Sequence, residues 1–138
     1  MLRLVLAVVL ALVTQMHFAS AKTEKVDDGP RMPPEIVQKV LKEVSDNIRK
    51  CWKVPASLRK INKTDRAIVH IRFALAMDGS ISSGPVLLKT QGNQMYSKIL
   101  GESAITAVKN CSPFSFLVKY KEYYGQWKEI KLRFDSRQ

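Results

Sequence analysis

The chain has 138 residues and a formal net charge of +11, from 23 Lys and Arg against 12 Asp and Glu. That length suits one small domain around a single core, and the basic balance favours anionic partners: acidic proteins, lipid phosphates, envelope polymers or nucleic acid. One of the two histidines, His17, lies in the N-terminal stretch read below as a leader; with the two cysteines paired, His70 alone remains, too few for a zinc site, which takes three or four ligands.

Residues 1–21 read as a secretory signal peptide. One positive charge, Arg3, precedes an unbroken apolar run over 4–13, and a small-x-small site, Ala19-Ser20-Ala21, stands before Lys22. The alternative, a retained membrane anchor, needs roughly 20 apolar residues, more than this run supplies. The expectation is a cleaved leader and a periplasmic protein, which sets nucleic acid aside as a partner. Cys51 and Cys111 follow. An even count in an exported chain reads as one disulfide, against two free buried thiols.

Residues 22–34 are polar and carry Asp27-Asp28-Gly29-Pro30, and are expected to form a flexible lead-in to a domain over 35–138. Pro33-Pro34-Glu35 suits a first helical turn. Ile36, Val37, Val40, Leu41, Val44 and Ile48 then recur at spacings of three and four, predicting an amphipathic helix that ends near Cys51-Trp52, before Pro55. Residues 59–66 carry four basic side chains and read as an exposed connection.

The centre of the chain is a hairpin. Ala67, Val69, Ile71, Phe73, Leu75 and Met77 alternate with Ile68, His70, Arg72, Ala74 and Ala76, the period-2 pattern of a half-buried strand. Asp78-Gly79 suits a tight turn. The return strand holds Ile81, Val86, Leu87 and Leu88, and Ser82-Ser83-Gly84-Pro85 predicts a bulge within it, since proline cannot donate to a ladder. Residues 90–93 read as a loop and helix start. Met95, Tyr96, Ile99, Leu100, Ala104, Ala107 and Val108 form a second helical stripe running to Cys111, stopped by Pro113. Residues 112–124, rich in Phe and Tyr, read as a long ordered loop, and residues 127–134 alternate as a third strand. The fold class is α+β: helix-strand-strand-helix-strand, a three-stranded antiparallel sheet covered by two helices.

Five stretches carry a resemblance. Cys51-Trp52-x-x-Pro55 ends the first helix, and Asp78-Gly79-Ser80-Ile81 makes the turn. Ala104-Ile105-x-Ala107-Val108-x-x-Cys111-x-Pro113 ends the second helix, while Tyr124-x-x-Trp127-Lys128-x-Ile130 and Phe134-Asp135-x-Arg137 frame the last strand. In this order they resemble the C-terminal domain of the TolA and TonB envelope proteins, closest to the disulfide-bearing TolA form, over nearly the whole exported chain. The sequence departs from that family in two ways. Residues 22–34, about 45 Å when fully extended, stand where the family has an anchor and a long stalk, and Ser136 stands where it usually has proline.

The resemblance implies a binding module in the cell envelope without catalytic residues, cofactor or metal. Its partners would be envelope proteins, Tol-Pal-like or outer-membrane components, taken up by pairing with an edge strand, with the domain a monomer or weak dimer. An edge offers N–H and C=O groups that another chain can satisfy, and the candidate is the last strand, with Lys128, Ile130, Lys131, Leu132, Arg133 and Phe134. Its cations either attract an acidic segment or merely guard the edge against aggregation. A reading of another class makes the chain a binder of an anionic envelope polymer, such as lipopolysaccharide, through Arg59, Lys60, Lys63 and Arg66. Trp52, Tyr124 and Trp127 are expected in the core or as lids over it, and His70 is read as structural.

Overall fold

The computed structural model describes residues 29 to 137; the leader read over 1–21 and the first part of the lead-in lie outside them. Helix α1 spans Pro34–Cys51 and α2 spans Ala56–Arg59. Strand β1 is Ala67–Leu75, β2 is Ile81–Gly92, α3 is Gln94–Cys111, α4 is Tyr124–Trp127 and β3 is Glu129–Asp135. Two 3-10 segments, Lys63–Asp65 and Ser115–Tyr123, complete the chain. The three strands form one antiparallel sheet in the order β2-β1-β3, and helices pack on it, as the α+β reading required. Among the described residues no helix is long and apolar enough to cross a membrane.

The register sorts side chains between the two faces. Val69 stands opposite Phe134, Ile71 opposite Leu132 and Phe73 opposite Ile130, and residues directly opposed share a face. Those side chains join Val40, Val44 and Ile48 of α1 and Leu100, Ala104 and Val108 of α3 in one core, so both long helices lie on this face. Proline at the start of α1 leaves no N–H unmet there. Glu35 in its first turn and Arg49 and Lys50 in its last suit the helix dipole.

The hairpin turn has one residue in the left-handed region. Gly79, at φ +86°, sits so close to the next layer that a Cβ would lie 2.4 Å from the Phe114 carbonyl oxygen; glycine is required on both counts. Asp78 keeps a negative φ and serves instead through its carboxylate, which accepts the Ser80 N–H at 2.9 Å. The bulge expected around residues 82–85 is present: pairing shifts register between Arg72 and Ala74, and Gly84 takes a φ of +77°.

Three expectations need correction. Residues 112–124 are not a loop. The 3-10 segment and α4 fill them, held by Phe114 and Leu117, both fully buried. Such short turns carry no repeating apolar stripe, so periodicity misses them. The third strand starts at Glu129, because Trp127 ends α4 with its indole N–H donating to Tyr120 O at 2.8 Å. Strand β2 continues through residues 90–92, and Asn93 then caps α3 by accepting the Tyr96 N–H at 3.1 Å. The connection over 59–66 is exposed over most of its length, as expected; α2 leads into it with Leu58 buried.

The described end of the lead-in is also tied down. Gln126 accepts the Met32 N–H at 2.9 Å and donates its own amide to Pro30 O at 2.7 Å, while the Met32 side chain is buried. Cys51 and Cys111 are bonded to each other, their Cα atoms 5.6 Å apart, so the ends of α1 and α3 are joined. Ser136 donates its N–H to Ala67 O at 3.0 Å, and its hydroxyl accepts the Ala67 N–H at 3.0 Å. Proline at that position would forfeit the first bond.

Candidate partner-binding edge

Strand β3 lies at one side of the sheet, and the phase of its ladder is readable. Ser136 N–H donates to Ala67 O at 3.0 Å and Leu75 N–H to Lys128 O at 2.7 Å. Antiparallel pairs alternate between bonded and non-bonded. The pairs between those two ends, Val69/Phe134, Ile71/Leu132 and Phe73/Ile130, therefore exchange their bonds within the sheet. The main-chain N–H and C=O of Glu129, Lys131 and Arg133 point the other way, toward the outer edge. Beside that edge runs a groove of about 260 Å³ between α1 and β3, with Val37, Leu41, Val44, Trp127 and Ile130 in its walls. An extended segment laid along β3 would meet three outward residues and an apolar slot.

The sequence-predicted edge residues divide between these roles. Ile130 and Phe134 are buried in the core and Leu132 is half-buried; they hold the strand in place. Lys131 and Arg133 turn to the sheet face away from the helices. There Lys131 lies 3.7 Å from Glu129, and Arg133 donates to Asp135 at 3.1 Å. Their charges are thus balanced locally, and Glu129 and Lys131 also border the groove. Lys128 carries the carbonyl that receives Leu75 N–H and marks where β3 begins.

The four residues of the polymer-binding alternative differ in what holds them. Arg59 donates to Val54 O at 3.2 Å. Lys60 and Lys63 are exposed. Arg66 is bound to Asp135 at the end of the sheet: its Nε donates to both carboxylate oxygens at 3.0 Å, and its Nη2 bonds the same group. The Asp135 side chain is 7% exposed, so this pair works as a clasp between β3 and the start of β1.

The hydrogen bonds from Arg66 hold the Asp135 carboxyl down to about 2, from an ordinary 3.8, against the opposing effect of burial; the Arg137 N–H and the charges of Arg66 and Arg133 add to the shift. A carboxyl depressed on folding contributes stability that is complete above its unfolded pKa and lost as pH falls through the folded one. Unfolding followed by fluorescence should therefore show about 2 kcal/mol lost as pH falls from about 4 to about 2. Asp135→Asn should lose a similar amount already at neutral pH and show a flatter acid limb. An unchanged acid limb in that variant would mean another carboxylate governs acid unfolding.

The aromatic side chains are part of the framework. Trp52 donates its indole N–H to Ser103 Oγ at 2.8 Å and meets Phe134 edge-on at 5.1 Å between centroids, while Tyr124 donates its hydroxyl to Leu75 O at 2.8 Å. Among the described residues no three His, Cys, Asp or Glu side chains gather as a metal site would require. His70 stands in β1 between Lys89 and Arg133, and its Nδ1 is buried without a hydrogen-bond partner among the described residues. Sequence reasoning missed Gln126, whose amide grips two backbone groups far away in the chain, and Arg72, whose neighbours depend on strand register. For Arg72 the signal was available: it is a charge on the polar side of an alternating strand.

Comparison with curated proteins and with solved structures gives no match. Residues 35–136, nearly all that the structure describes, match a family model, and the chain belongs to that family, described as uncharacterised conserved protein UCP034077.

Proposed function

We propose that this is a non-enzymatic protein-interaction domain of the TolA/TonB type, exported to the periplasm, that takes up an extended segment of an envelope partner along the outer edge of β3. The likeness to TolA and TonB rests on the order of elements and the motifs quoted above; the family match is separate from it. The observation that carries the reading is the outward main chain of Glu129, Lys131 and Arg133 beside the α1–β3 groove. Main-chain bonds supply the affinity in such pairing, and a pocket for alternate side chains supplies the selection. Tol-Pal-like or outer-membrane proteins fit as partners, and the domain acts in envelope maintenance or transport. His70 sits among cations instead of beside a nucleophile or a carboxylate, which favours binding over acid-base chemistry.

Proline tests the edge without touching the bonds inside the sheet. Lys131→Pro removes an outward N–H and should abolish capture of envelope partners by the immobilised domain, while Lys131→Gln, which keeps that N–H, should retain it. Thr90→Pro is the control, since the same alternation places its N–H on the outer side of β2. Capture by Lys131→Pro at the wild-type level, or partner-induced hydrogen-exchange protection on β2 instead of β3, would remove the edge from the account.

A further inference from the structure

Both long helices lie on one side of the sheet, and the other side is a face with a surplus of positive charge. Arg72 stands at its centre, with Lys131 directly opposite on β3 and Val86 directly opposite on β2. In the next row His70 lies between Lys89 and Arg133. Glu129 and Asp135 are the carboxylates of this face; they are within reach of Lys131 and Arg133, and Asp135 is already engaged by Arg66. Arg72 and Lys89 are exposed and have no ion pair among the described residues.

This arrangement is costly for a sheet that only has to fold. Like charges placed directly across a strand pair destabilise it, and here Arg72 faces Lys131. An external anion relieves that repulsion. The shape of the face narrows the choice. Side chains stand perpendicular to the sheet, and the hollow of about 240 Å³ between Arg72, Gly84, Val86 and Glu129 has room for a headgroup, not for a length of chain. Val86, at 43% exposure, stands directly opposite Arg72, and Leu88, at 45%, follows in the same strand. A cationic plane edged with aliphatic side chains suits the headgroup boundary of a bilayer, where phosphates meet the cations and the aliphatics enter the acyl margin. A soluble polyanion offers the aliphatics nothing.

We propose that the face centred on Arg72, with Lys89 and Lys131, docks on an anionic phospholipid surface. This surface lies at right angles to the outer edge of β3, so a partner strand and a membrane can be held together. It is independent of the strand-pairing reading.

The core, the sheet and the disulfide all lie within residues 30 to 136, so the chain from Lys22 onward is the test material, free of the apolar leader that would itself enter vesicles. Sedimentation with phosphatidylglycerol vesicles should show binding that pure phosphatidylcholine vesicles do not support and that high salt weakens. Each cation at such a surface is worth about fivefold in affinity, so the double variant Arg72→Gln, Lys89→Gln should bind about twenty-fivefold more weakly. Its melting temperature should not fall, and it should still capture partners through β3. The matched variant Lys60→Gln, Lys63→Gln, which removes equal charge elsewhere, should bind almost as well as wild type. Equal loss in both variants would reduce the effect to net charge and overturn the proposal. So would absence of binding to phosphatidylglycerol, or equally tight binding to soluble inositol hexaphosphate.

Discussion

Reduction of the Cys51–Cys111 bond should lower the thermal midpoint by about 15 °C. The bond closes a separation of 60 residues, and constraint of the unfolded chain over such a loop is worth about 4 kcal/mol on the chain-entropy model. For a domain of this size one kcal/mol moves the midpoint by about 4 °C. Total stability of small domains is about 5–15 kcal/mol, so the loss takes a large share of it. The position of the bond strengthens the expectation. It joins the last turns of α1 and α3, the two helices that roof the sheet, and Cys111 is itself buried. Replacement of both cysteines by Ser should reproduce the effect of a reductant, and reductant should then do nothing further. A midpoint that ignores both treatments would show that the unfolded chain is already constrained in some other way.

Phe114→Ala should cost about 4 kcal/mol, within the range for deletion of a buried phenyl ring. Phe114 is fully buried, and its ring stacks on that of Phe73 at 5.5 Å. It also brings the hairpin turn to the aromatic segment, through its N–H donating to Gly79 O at 2.7 Å. Phe116, half-buried and edge-on to Phe114 at 6.3 Å, should cost less than half as much when changed to Ala. Guanidinium unfolding would measure both, with an unaltered slope indicating that the native state stays intact. Equal, small costs would return residues 112–124 to the status of a surface loop.

The two sides of β3 show why an edge can be named from sequence more readily than its chemistry. Alternation over residues 127–134 marked a strand with Ile130, Leu132 and Phe134 inward, and the structure places those three toward the core. Alternation also assigns Lys131 and Arg133 to the opposite face. It does not say what else stands there. That depends on pairing with Arg72 and His70, more than fifty residues away in the chain, and no local signal encodes it. The same holds for Gln126, whose partners Met32 and Pro30 become visible only once α4 is docked beside the start of α1.

By itself the sequence determined the long elements and their inward faces, because a helical or two-residue apolar period is a local property that burial selects directly. It determined the glycine turn at residue 79 and, with two cysteines and an export-type leader, the pairing of Cys51 with Cys111. Only the tertiary structure decided that residues 115–127 are short helical turns and that Arg66 belongs to Asp135. It alone showed that the cations of β3 join Arg72 and Lys89 on the open face of the sheet. Those outcomes follow from strand register and from aromatic side chains reaching across layers, interactions whose partners are distant in sequence and leave no periodic trace.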